Sequence, residues 1–329
     1  MTYSEYEHHG VRTSRDIKSA YVDNNVPTAG IHEDLTFEQY QSLVDPDGWP
    51  LVNASSLKFL ARSPAHYHAH LLAGATDPTP AMRFGTLCHT GILEAGAVAG
   101  RYIYPPGDLY DKVRTKTGRK PANPAATNEG RAVLARFKAK HAEKEVITAQ
   151  EYYRMLAIVN SLRTSPRAEQ FLATGSGVSE LTCVWQDVTT GIWCKARLDF
   201  VQRGERVVDL KTTRSADPID FAKSLANFGY YRQAAHYLEA AQRCRLDCRR
   251  FAIVAVESEP PHGVAAAELS LQSLGQGQRE IKRLMIQLQE CRIRDHWPGY
   301  LDPGIWELPP WAQDGQTDPP VWENPEPEN

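Results

Sequence analysis

The feature that most constrains the fold is a change of hydrophobic period near residue 178. Upstream of it, apolar residues recur at helical spacing in TFEQYQSL, in SSLKFLAR up to Pro64, in AMRFGTLCHTGILEAG to near Gly96, and at 129–143. A further helical segment, YYRMLAIVNSL, follows Thr148 and Glu151, which are placed as a capping box. Downstream, VSELTCVWQD, IWCKARLDFV and RVVDLKTT alternate as strands do, the first pair joined by a Thr-Thr-Gly turn and the second by Arg-Gly-Glu. A helix near 229–243, the strands RRFAIVAVES and GVAAAELS, and a long helix near 271–292 come next. This order predicts an α/β domain whose central sheet is antiparallel at its start.

With 329 residues, 42% of them hydrophobic, the chain has enough apolar material for a large core. No stretch approaches the roughly 20 apolar residues of a membrane span, and MTYSEYEHHG lacks the basic-then-apolar order of a signal peptide. No membrane association is therefore expected. Six scattered cysteines with no C-x-x-C pair suggest a reducing cytoplasm. The net charge of −3 hides an asymmetry: residues 1–50 balance to −6 and residues 314–329 to −5, which leaves +8 on 51–313. A basic body between acidic ends is compatible with nucleic acid. The expected organisation is an acidic N-terminal extension (1–49), one continuous domain (50–311) and a disordered, acidic, Pro-rich tail (312–329), with a loop-like break near 115–130.

The densest chemistry lies in Asp199 and in Asp209-Leu210-Lys211. On a strand, Asp209 and Lys211 project from one side while Leu210 enters the core on the other, and Asp199 comes from the adjoining hairpin strand. Two neighbouring carboxylates repel unless a cation lies between them, and hard oxygen ligands suit Mg²⁺ or Mn²⁺. A lysine beside that metal can orient water or stabilise charge on a phosphate, as metal-assisted phosphodiester hydrolysis requires. A bare D-x-K is common, so the context decides. Gly85 and His89 share one helical face, where the glycine lets another backbone approach; a helical histidine otherwise usually packs. Glu180 lies on the preceding strand, opposite in facing to Leu181, Cys183 and Trp185. Gln233 and Tyr237 are an i,i+4 pair on the helix after the D-x-K strand. The HYHAH run at 66–70 is expected on a helix, where its histidines do not share a face, and at the surface. Lys112, Arg114, Lys116, Arg119 and Lys120 form a basic loop suited to DNA phosphates.

In order these residues read G-x-x-x-H, E, D, D-x-K, Q-x-x-x-Y. The sequence resembles the PD-(D/E)XK nucleases of the RecB-like branch, and within it the phage RecE-type exodeoxyribonucleases (exonuclease VIII). SSLKFLARSPAHYHAHL, PTPAMRFGTLCHTGILE, the VRTKTGRK loop, GIWCKARLDF, VVDLKTT, GYYRQAAHY, WPGY and LPPW all look like segments of that family, covering roughly residues 50–311. The proline of the nominal "PD" is absent, since Leu198 precedes Asp199.

The resemblance implies a restriction-endonuclease-like core, a central mixed sheet flanked by helices. It implies that His89, Asp199, Asp209 and the Leu210 carbonyl bind Mg²⁺ (or Mn²⁺), that Lys211 is the catalytic lysine, that Glu180 supports the site, and that Gln233 and Tyr237 complete it. No iron–sulfur cluster is expected, because Cys88, Cys244, Cys248 and Cys291 have the wrong spacing. The implied activity is degradation of linear double-stranded DNA from its ends, 5′ to 3′, leaving 3′ single strands for recombination. A single-strand-annealing partner and a ring-like homo-oligomer are implied with it. The alternatives are a single-strand or helicase-associated nuclease of the same superfamily, although no G-x-x-x-x-G-K-[ST] occurs, or a catalytically silent DNA-binding protein.

Overall fold

The computed structural model of the chain describes residues 26–308 apart from 75, 76, 174 and 303. The expected acidic tail at 312–329 lies outside the described residues.

Capping chemistry sets the helix starts. After a short strand β1 (Gly30–His32), helices α1 (Phe37–Ser42), α2 (Ala54–Arg62), α3 (Pro64–Ala73) and α4 (Pro80–Leu93) open behind Thr36, Asn53, Ser63 and Thr79. Each capping side chain accepts an N–H of the first turn, which has no partner within the helix. Pro64 does more than end α2: it takes the first position of α3, where a missing N–H costs nothing. A one-turn helix α5 (Val98–Arg101) leads into β2 (Tyr102–Ile103), and α6 (Asn128–Lys140) leads into β3 (Glu145–Val146), which pairs with β2 in parallel. Helix α7 (Ala149–Arg163) carries the expected Thr148–Glu151 capping box and is followed by α8 (Pro166–Leu172).

The alternating segments form β4 (Val178–Gln186), β5 (Trp193–Gln202) and β6 (Arg206–Thr213). Then come α9 (Pro218–Asn227), α10 (Tyr230–Arg243), β7 (Arg250–Glu257), β8 (Val264–Glu268) and α11 (Leu271–Arg294). The main sheet has the order β1-β4-β5-β6-β7-β8; β6 and β7 run parallel, with α9 and α10 between them, and the other neighbours are antiparallel. The sheet is mixed and covered on both faces. On the first face Leu57, Tyr67, Ala234, Leu238 and Leu284 of α2, α3, α10 and α11 pack with Leu181, Cys183, Ala196 and Leu198. On the second, Leu87, Met155, Ile158 and Phe171 of α4, α7 and α8 pack with Phe200, Val208, Leu210 and Val254. Fully burying each such aliphatic or aromatic side chain is worth roughly 1.5–3 kcal/mol. Val207 belongs to the first core and Val208 and Leu210 to the second, so alternation turns Asp209 and Lys211 toward the α10 face.

Two local departures from regular sheet interrupt the ladder at the centre. Glu180 adopts φ 55, a left-handed conformation uncommon for a residue with a side chain. Around it Val178 and Leu181 both meet the first core, three residues apart, and so do Val201 and Leu198 on the paired strand. The β5–β6 ladder runs only from Phe200↔Val208 to Gln202↔Arg206, and beyond Phe200 the two strands part.

The three histidines at 66–70 lie on α3, as expected, but are half-buried instead of lying at the surface. Each meets a different ring: His68 stacks on Trp297 at 4.8 Å and His70 on Phe59 at 4.0 Å, while His66 lies tilted against Tyr300 at 5.1 Å. The six cysteines are all buried and unpaired. Among the described residues, no helix is long and apolar enough to cross a membrane.

Candidate active site

The site forms where β5 and β6 part. Asp199 fills the gap, its Oδ2 accepting the Leu210 N–H at 2.8 Å and so taking an amide that the neighbouring strand no longer pairs. Helix α4 reaches this point from the second face. A Cβ on Gly85 would lie 3.3 Å from Thr212 Oγ1, so the glycine allows the close approach, and one turn later His89 Nδ1 stands 3.7 Å from Asp199 Oδ2. That spacing is too long for a hydrogen bond. Glu180, opposite Asp199 on β4, completes a cluster in which one ligand atom from each of His89, Glu180 and Asp199 lies within 4.8 Å of the others.

From the first face α10 contributes Gln233, whose Nε2 donates to Asp209 Oδ1 at 2.8 Å, and Tyr237, half-buried beside both aspartates. Lys211 Nζ lies 2.6 Å from Asp209 Oδ2, yet at an angle that leaves this buried oxygen without an aligned hydrogen bond. His89, Glu180, Asp199, Asp209, Lys211, Gln233 and Tyr237 are thus brought to one place from five elements.

Burial dominates the electrostatics. It pushes the Asp199 carboxyl up to about 7, against the pull of the Lys211 ammonium and with the push of Glu180. Asp209, 1% exposed, is pushed up to about 6, again by burial first, with Lys211 opposing and Asp199 adding to the rise. For Lys211, burial works against the charge, but Asp209 and Asp199 more than offset it and hold the pKa above the ordinary lysine value. Burial and then the Lys211 ammonium lower the His89 pKa, while the Glu180 and Asp209 carboxylates oppose them. The Tyr237 phenol is pushed far up by burial and by the two aspartates.

These residues fit a hard divalent cation. Three carboxylates, of Glu180, Asp199 and Asp209, face two side-chain cations, Lys211 and Arg197, which leaves an excess of negative charge that a divalent cation would neutralise. Carboxylate oxygens are hard ligands, and the single imidazole is the borderline member of the set.

Two neighbours of the site escape motif reading. Arg197 Nε pairs with Glu180 Oε2 at 2.6 Å, and its Nη1 donates to the Leu35 carbonyl at 3.1 Å. Tyr230 places its ring 4.9 Å from Lys211 Nζ. Spacing could have signalled both: Arg197 is two residues before Asp199 on one strand, and Tyr230 is three before Gln233 on one helix. In the basic loop, Lys112, Arg114, Lys116, Arg119 and Lys120 are all exposed. Lys120 pairs with Asp111 at 2.9 Å, and Arg114 donates to the Val113 carbonyl at 2.9 Å.

A mixed sheet covered by helices, with D and D-x-K at the parting of two central strands, defines the PD-(D/E)XK class. Residues 53–303 match the family described as PDDEXK-like domain of unknown function (DUF3799), and the chain belongs to that family. Among solved structures, a candidate exonuclease from Eubacterium rectale is similar at 14% identity and a TM-score of 0.47, over 79% of this chain and 88% of that one. A structure named SSO0001 is similar at 16% identity and a TM-score of 0.26, over 62% of this chain and 86% of that one. No curated protein matches.

Proposed function

We propose that the chain is a divalent-metal-dependent exodeoxyribonuclease that degrades linear double-stranded DNA from its ends, 5′ to 3′, and leaves 3′ single strands for recombination by strand annealing. The observation that supports it most is the meeting of His89, Glu180 and Asp199 with the Asp209–Lys211 pair in one half-buried cluster. In this reading His89, Asp199, Asp209 and the Leu210 carbonyl hold Mg²⁺ or Mn²⁺, with Glu180 in support. The bound metal would supply an activated water and charge stabilisation at the phosphate. Lys211 orients that water or stabilises charge at the phosphate, Gln233 fixes the Asp209 carboxylate, and Tyr237 closes the site against solvent. The basic loop at 112–120 grips phosphates of any sequence. A ring-like homo-oligomer, a single-strand-annealing partner and a cytoplasmic setting belong to the same proposal. The test is end-labelled linear duplex beside closed circular duplex, each with Mg²⁺ or with chelator. Metal-dependent loss of the linear form alone is expected. Attack on the circle would make the protein an endonuclease, and no cleavage of either would overturn the reading.

A further inference from the structure

Helix α9 ends at Asn227 and is capped by Phe228, Gly229 turns the chain with φ 68, and Tyr230 begins α10. Only a residue tolerant of that conformation makes so tight a corner, and a Cβ there would also collide with the Arg232 guanidinium. The corner sets three rings in a row beside the active site. Phe221 is 8% exposed and lies 6.1 Å from Tyr230; Tyr230 lies 5.6 Å from Phe228. Phe228, at the outer end, is 52% exposed. The middle ring of the row is tied to the chemistry, because the Tyr230 ring is 4.9 Å from Lys211 Nζ. The outer end has a cation of its own: Lys58 Nζ, from α2, is 5.8 Å from the Phe228 ring.

We propose that Phe228 is a base-stacking platform, which holds an unpaired nucleobase of the strand whose phosphate is cut at Lys211, with Lys58 on the adjoining backbone. The proposal rests on the nuclease reading. The Phe228 ring and the Lys211 ammonium are within about 10.5 Å of each other through Tyr230. Stacked nucleotides rise by about 3.4 Å, so the base concerned is within about three nucleotides of the cut. An aromatic face accepts every base, which suits an enzyme that must advance through any sequence, and the nearby ammonium matches the phosphates that accompany the base. Tyr230, itself packed on Phe221, backs the exposed ring, so it meets the base without first being ordered.

The test uses the full chain with chelator present, so that nothing is cut, and linear duplexes carrying 2-aminopurine at one of the three terminal nucleotides of either strand. Wild type is expected to quench the fluorophore at one such position on binding. Phe228→Leu keeps the apolar bulk but removes the ring; it should abolish that quench and weaken end binding by about 5- to 100-fold. Phe228→Tyr should retain both properties. Quench and affinity unchanged in Phe228→Leu, in a protein whose wild type binds and cuts linear DNA, would overturn the platform and leave the nuclease reading standing. A wild type that neither binds nor, with Mg²⁺, cuts linear duplex would overturn both.

Discussion

Arg197 and Glu180, on adjacent strands, form an ion pair with Nε 2.6 Å from Oε2 and only 16% and 18% of their side chains exposed. The pair holds the residue whose φ of 55 marks the distorted part of β4, so one contact fixes both a strained backbone and a carboxylate of the site. Removing one member leaves the other charge buried and alone. Arg197→Ala is expected to cost about 3 kcal/mol, read as a lower melting temperature in chelator, and Arg197→Ala with Glu180→Gln should recover part of it. Equal losses in the single and double variants would show that the pair is not what stabilises this region.

Gln233 donates to Asp209 Oδ1 at 2.8 Å, and that carboxylate has its other oxygen beside Lys211. Gln233→Ala removes a donor, whereas Gln233→Glu sets a second carboxylate against the first. Cleavage is expected to fall at least about tenfold in the alanine variant, the scale of one lost hydrogen bond to a charged group, and further in the glutamate variant. The reverse order, measured as kcat on linear duplex, would contradict the assigned contact.

The buried Lys195 gives the fold a pH dependence. Its Nζ is 2.7 Å from the Tyr40 carbonyl and 2.9 Å from that of Gln41, and burial pushes its pKa from the ordinary 10.5 down to about 7. Between pH 7 and 10.5 the unfolded chain binds a proton at this residue that the folded chain does not, so this group makes stability rise with pH across that window. The melting temperature of wild type relative to Lys195→Met should therefore increase from pH 7 to about 9.5, short of the unfolded-state pKa. A constant difference would show that Lys195 keeps its proton.

For the basic loop, all five basic residues are exposed, but Lys120 is paired with Asp111 and Arg114 donates to the Val113 carbonyl. Replacing Arg114, Lys116 and Arg119 together with Ala should flatten the salt dependence of duplex binding by about 2 rather than 3, at about 0.9 per phosphate contact. An unchanged slope would place the DNA elsewhere.

Period and capping made much of the fold legible in advance. The three strands at 178–213, the helix after them and the Thr148–Glu151 box follow from alternation, spacing and cap chemistry, all of which are local. Strand β1 was not legible, because three residues have no period and Gly30–His32 is a strand only by pairing with β4. The burial of His66 and His68 was hidden for the same reason, since Tyr300 and Trp297 reach them from the far end of the chain. Within the site, the D-x-K alternation gave the facing of Asp209 and Lys211, whereas the Arg197–Glu180 pair depends on a left-handed residue that no strand pattern announces.

The central claim is that Asp209 and Lys211 serve the chemistry and not the grip on DNA. Asp209→Asn and Lys211→Ala should each abolish metal-dependent cleavage of linear duplex while the duplex dissociation constant, measured in chelator, stays within about threefold of wild type. Cleavage retained in either variant would contradict the account.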